Sequence, residues 1–260
     1  MNAKRLRLAI GLSILSVVAL AGLLAPWIAA YDPNASGDDI LSGVSGAHWF
    51  GTDDLGRDVF SRVVHGARIS LVIGPAAALL AAAIGVPVGL IAGYVRGGMA
   101  AAIVQIIDLF IALPSLVLAL LITVLIGASL PNLVLVLGFV MWPEIARLVR
   151  GQVLGMREVT FVEAAHSIGC TPAQVLRRHI WPNIMRLVAA QVAIAVSSAI
   201  FTAASLGFLG LGLPPPAADW GGMVQSGFEY LSLNPLLSLA PGAAVASTVM
   251  SFYLIGRTVE

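Results

Sequence analysis

Charge is what this 260-residue sequence has least of: 14 Lys+Arg and 13 Asp+Glu make up only 10% of it, where a soluble domain carries roughly a quarter. With 59% hydrophobic residues and a mean hydropathy of +0.97, the polar side chains are too few to cover a water-facing surface. The chain belongs in a bilayer. Cysteine is nearly missing as well: the single Cys170 excludes an intramolecular disulfide and offers no metal-site spacing. Lysine occurs once, as Lys4, which excludes a phosphate-cradling GxxxxGK[ST] loop. No Ser/His/Asp set or HExxH pair is present, and His48, His65, His166 and His179 are scattered along the chain. The expectation is therefore a non-catalytic protein without a metal or bound cofactor of its own. A net charge of +1 gives no reason to expect nucleic acid as a partner.

What the sequence has in plenty is apolar runs. A span needs about 20 such residues, and six runs qualify, at positions 8–29, 69–94, 100–126, 133–149, 187–209 and 236–255. The first follows basic "MNAKRLR" but exceeds a signal-peptide core, so it reads as a retained helix. Pro143 and Glu144 interrupt the fourth near one end. The fold class is an all-α membrane protein with six transmembrane helices. It divides into a basic segment and first helix (1–30), an extracytoplasmic loop (31–68) and a core of five helices (69–260).

Charge sets the expected orientation. A cytoplasmic N-terminus places Lys4, Arg5, Arg7, Arg96, Arg147, Arg150, Arg157, Arg177, Arg178, Arg186 and Arg257 inside, and only Arg57, Arg62 and Arg68 outside. That bias is the positive-inside pattern. An even number of spans returns the C-terminus to the cytoplasm.

Three hydrophilic segments remain. In the outer loop, "HWFGTDDLGRDVFSRVVHGARISL" reads as a helix capped by Thr52 or Asp53. Its opposed charged face predicts a helix lying on the membrane surface and leading into the second span, unless the stretch is a solvated connector. In the outer segment "SLGFLGLGLPPPAADWGGM", Gly207, Gly210 and Gly212 with Pro214 to Pro216 forbid a continued helix. Irregular backbone near membrane depth is tolerated where protein covers it or water fills a cavity. Gly207, Gly210 and Trp220 are thus candidates for a pathway wall or interface, and an ordinary loop is the other reading.

The third segment, about 151–186, is far longer than a span connector requires. "TFVEAAHSIGC" reads as a short helix capped by Thr160, with Glu163 in the capping-box position and Gly169 as its stop. "TPAQVLRRHIWPN" reads as a second helix, started by Thr171 and Pro172 and closed by Pro182. Together they predict a compact knob built for contact.

These residues carry a resemblance. "EAAHSIG" followed by "HIWPN" resembles the EAA loop of bacterial ATP-binding-cassette importer permeases. "FGTDDLGRDVFSRVVHGARISL", "DLFIALPSLVLAL", "SLGFLGLGLPPPAADWG" and "LAPGAAVASTVMSF" resemble the peptide/nickel subgroup, in its dipeptide-permease C type. The match runs from about Ala30 to Phe252. Trp181 departs from the usual Leu, and the C-terminal "FYLIGRTVE" carries Tyr253 and Arg257 where the family has Asn and Asp. The resemblance implies a type I ABC importer permease fold with a cytoplasmic EAA coupling loop, in the bacterial inner membrane. It implies a homologous second permease forming the other half of a pore. It further implies two cytoplasmic ATP-binding subunits that hold ATP and Mg, an extracytoplasmic substrate-binding protein, and peptides, nickel or nickel chelates as solutes. The coupling residues it points to are Glu163, Ala164, Ala165, Gly169, Pro172, His179 and Pro182.

Within the spans, Gly85, Gly89 and Gly93 recur every four residues, the spacing that lets helices approach closely, whether in this chain or in the partner permease. Asp108, three residues after Gln105, is an acid inside a span. Such a group marks a functional site by default, so it is a pathway candidate, with a hydrogen bond to a neighbouring helix as the structural alternative. An ion-coupled secondary transporter is the rival function. It would use midplane acids and inverted halves, and no half-to-half repeat is visible.

Overall fold

The structure, a computed structural model, describes residues 3–259. In chain order its helices are α1 (Ala3–Ile28), α2 (Val59–Tyr94), α3 (Gly98–Ala112), α4 (Ser115–Ile126), α5 (Leu130–Met156), α6 (Thr160–Ser167), α7 (Pro172–Val175), α8 (Trp181–Phe208), α9 (Trp220–Phe228) and α10 (Leu236–Val259). A π turn, Leu176–Ile180, joins α7 to α8. Helices α1, α2, α5, the α7–α8 run and α10 are long and apolar enough to cross a bilayer, and the bent pair α3–α4 makes a sixth crossing.

The third span is broken rather than continuous. Pro114 has no N–H and forces the residue before it out of helical conformation. Leu113 is accordingly extended (φ −86°, ψ 132°), and α3 and α4 meet at 85°. Pro143, by contrast, sits inside an unbroken α5 that runs further at both ends than hydropathy indicates. Pro26 is carried within α1 because the carbonyl it leaves free, that of Gly22, accepts from Arg68 Nε at 2.6 Å.

The surface helix expected in the outer loop does not exist as such. Its residues form the first turns of α2, capped by Asp58 instead of Thr52 or Asp53, with the Asp58 carboxylate accepting from the Ser61 N–H at 2.7 Å. Nothing between Val59 and Ile69 stops the helix, and Val59, Ser61, Arg62, Val64, Gly66 and Ala67 are buried. They are covered by protein, so this end of α2 needs no membrane surface.

The centre of the molecule is α5, the most enclosed of the five continuous spans, while α1 is the least enclosed of these five. The Gly85–Gly89–Gly93 stripe faces α5 of the same chain. A Cβ added at Gly85 or Gly89 would come within 2.5 Å of the carbonyl oxygen of Trp142 or Ala146 respectively. This stripe is an internal seam and not a surface for a partner.

Candidate functional site

At the end of the bundle that carries the loop before α2 and the segment between α8 and α9, the sequence builds a buried ionic cluster. The Asp53 carboxylate accepts from the Arg57 Nε at 2.7 Å and lies 3.7 Å from Arg62 Nε. Arg62 is 4% exposed. Burying a guanidinium is costly unless its donors are matched, and here both terminal nitrogens are matched while Nε is not. One terminal nitrogen donates to the Pro33 carbonyl at 2.7 Å and to that of Pro216 at 3.3 Å, and the other to that of Ala217 at 3.3 Å. Arg62 therefore clamps the loop before α2, α2 itself and the proline-rich segment together. Beside it, Asp58 binds His48 Nδ1 at 2.9 Å, and Tyr31 stacks on the His48 ring.

Next to this clamp lies a cavity of about 570 Å³ with Asp53, Arg57, Arg62 and Asp219 on its walls. Gly207 and Gly210 line it. Trp220 does not: it is buried, and its indole N–H donates to the Val63 carbonyl at 2.8 Å. Asp219 caps α9 by accepting from the Gly222 N–H at 3.1 Å, and its Oδ2 occupies the space that a Cβ at Gly207 or Gly212 would need. Burial pushes the Asp219 carboxyl above its ordinary value, against the lowering effect of the Gly222 and Gly221 amides.

The knob forms at the other end, where Arg157, Arg177 and Arg178 lie. In α6, Thr160 is already helical, so the capping position falls on Val159, whose carbonyl accepts from Val162 and Glu163. The capping box forms one helix later: the Thr171 hydroxyl accepts from the Gln174 N–H while the Gln174 side chain accepts from the Thr171 N–H. Gly169 ends α6 with φ +85°. The Cys170 N–H then reaches back to the Ala165 carbonyl at 3.0 Å, the six-to-one bond of a left-handed helix stop.

The second short helix is not closed by Pro182. Proline's ring clashes with the carbonyl four residues back, and the chain answers with a widened turn in which the Trp181 N–H bonds to Leu176. Pro182 then sits in the first turn of α8. The knob therefore continues directly into a membrane-spanning helix. Val162, Ala165, Val175 and Ile180 are buried and join the core of the spans. Glu163, Ala164, Gly169, Pro172 and Pro182 are exposed, and His179 is half-buried. Phe161 and Ile168 are exposed too, Ile168 to 80%. Sequence reasoning passed over both, since apolar residues in a helical pattern are ordinarily assigned to the inner face.

In the spans, Asp108 of α3 accepts from an Arg147 terminal nitrogen of α5 at 2.5 Å, and both side chains are about half-exposed on this chain. Gln105 is exposed one turn earlier. The charge balance had set Arg147 among the cytoplasmic basic residues, so it was not recognised as the partner of Asp108. A second cavity, about 1040 Å³, opens between the start of α4 and helices α5, α8, α9 and α10.

A six-crossing helical protein with an ionic cluster and cavity at one end and an exposed two-helix knob at the other has the layout of a membrane transport component. Residues 85–260 match the family described as the binding-protein-dependent transport system inner membrane component, and the chain belongs to that family. It is 36% identical over 250 residues, 95% of this chain and 83% of the relative, to the glutathione transport system permease protein of Pectobacterium atrosepticum. Identity is 37% over 255 residues, 97% of this chain and 84% of the relative, with the dipeptide transport system permease protein of Alkalihalophilus pseudofirmus. Among solved structures, an inward-facing methionine ABC transporter superposes with a TM-score of 0.58 at 20% identity, covering 76% of this chain and 96% of that one. The fold is that of an ABC importer permease, and the chain is a permease subunit of the inner membrane.

Proposed function

We propose that the chain forms half of the pore of an ATP-driven importer of short peptides, glutathione-like or dipeptide in size. The observation that carries this is the knob, which exposes Phe161, Glu163 and Ile168 and whose second helix runs unbroken into span α8. Two cytoplasmic ATPase subunits hold ATP and Mg, and one of them grips this knob through Glu163, Ala164, Gly169, Pro172, His179 and Pro182. Ala165 supports the knob from beneath. A homologous permease completes the pore, and an extracytoplasmic binding protein delivers the solute to the cluster around Arg62 and Asp219. Both termini are cytoplasmic in this arrangement, which the excess of basic residues on the knob side of the spans supports. The test is uptake into vesicles holding this chain with its partner permease, ATPases and the neighbouring binding protein. Radiolabelled glutathione, dialanine and nickel are offered in turn. ATP-dependent uptake of a peptide by the complex, and none by the chain alone, is the expected result. Uptake by the lone chain, driven by a proton or sodium gradient, would replace this reading with that of a secondary transporter.

A further inference from the structure

Glu144 lies fourteen residues from the start of α5 and twelve from its end, roughly 21 and 18 Å at helical rise, so it sits within this span and not at either terminus. The other acidic side chain of the spans, Asp108, is paired with Arg147. Glu144 is exposed and has no ion pair or hydrogen-bond partner among the described residues. It opens onto the cavity of about 1040 Å³ between α5, α8 and α10. Ser197, on the α8 wall of that cavity, is only 5% exposed, and its buried hydroxyl is also without a partner among the described residues. Ser198 and Thr202 are on the same wall, with the aromatic faces of Phe201, Phe208 and Tyr253 around them.

Each unmatched group is costly where it stands. A carboxyl within a span costs a few kcal/mol, and an orphaned buried hydroxyl about 1–3 kcal/mol. An apolar cavity with a few convergent polar groups is the form of a small-molecule site. The carboxylate and the aromatic faces select the ligand's sign, since both attract a cation, and a hydroxyl oxygen can accept a hydrogen bond from it. We propose that Glu144 and the Ser197 hydroxyl form a station inside the solute path that receives the ammonium group of the passing solute. The inference rests on the reading of the chain as half of a pore, and it adds which side chains meet the solute and through which charge.

The test uses the complete transporter in proteoliposomes, with Cys170→Ser removing the native thiol and Ser198→Cys as reporter beside the site. Two membrane-impermeant methanethiosulfonates of similar size are applied, one bearing a trimethylammonium and one a sulfonate. The expected result is labelling that favours the cation by roughly tenfold over the ratio for a free thiol. Glu144→Gln should return it to the free-thiol ratio, and Glu144→Asp should retain the preference. Labelling without charge preference, or a ratio unmoved by Glu144→Gln, overturns the proposal. So does a reporter that neither reagent reaches, because the second permease then seals the cavity. Wild-type uptake without ATPase subunits would instead defeat the pore reading itself, whatever the labelling ratio.

Discussion

At the level of single residues, Asp108 is the clearest case of a site whose type was legible and whose partner was not. Its cost inside a span announced it, but nothing in the order of residues pointed to Arg147, 39 positions away. The pairing makes a double-mutant test possible. Asp108→Leu should leave Arg147 unpaired in the spans and lower the yield of folded, inserted protein. Asp108→Leu with Arg147→Leu should recover most of it, because an apolar pair of similar size avoids the stranded charge. Fluorescence-detected size exclusion at equal expression reads this, and a double variant no better than either single would count against the pair. Asp219 carries a prediction about pH. Its folded-state value is raised by burial, so the folded form binds its proton more tightly than the unfolded chain. Its contribution to stability is therefore full at low pH and falls as pH rises through the raised value. Asp219→Asn keeps a cap for α9 without the buried charge. Its melting temperature should exceed that of wild type at pH 8, and the gap should shrink towards pH 4. A gap that widens on acidification would contradict the burial argument.

Among the elements, prolines show how far the sequence could be read. The six crossings were plain from hydropathy, but the helix breaks were not. Pro114 bends a span by 85°, whereas Pro26, Pro143 and Pro182 sit within helices that continue. The difference is made elsewhere in the fold: Arg68 comes from α2 to take the carbonyl that Pro26 frees, and a π turn absorbs Pro182. A local window sees the missing N–H and not the donor that arrives to replace it. The outer helix was misplaced for a related reason, since its charged face looked solvated while Arg62 is buried against carbonyls from distant loops. The glycine stripe was read correctly as a packing surface, and only the structure assigned it to α5. Gly89→Leu should drive a side chain into the Ala146 carbonyl and Val149, costing about 1–3 kcal/mol as overpacking. Thermal unfolding of the detergent-solubilised protein reads that loss. An unchanged melting temperature would show that α2 and α5 can separate freely.

For the whole molecule, the two ends divide the labour and a continuous helical run connects them. The Arg62 clamp orders the end proposed above to meet the delivered solute, and the knob at the other end runs into α8 through the π turn. A nucleotide-driven change in the ATPases can move the spans only through contacts that differ between the two states, and under the proposed function the exposed face of α6 with its turn at Gly169 supplies them. Gly169 has φ +85° with open space around it, so a side chain there is opposed by backbone strain of about 1–2 kcal/mol per residue and not by collision. Gly169→Val should therefore re-aim the knob without disturbing the spans. The measurement that tests this most directly is solute imported per ATP hydrolysed by the complete complex, wild type against Gly169→Val, with ATPase co-purification measured on the same samples. The account predicts normal membrane insertion with a severalfold loss in ATPase association or in solute moved per ATP. A Gly169→Val complex that keeps full ATPase association and wild-type uptake would contradict it.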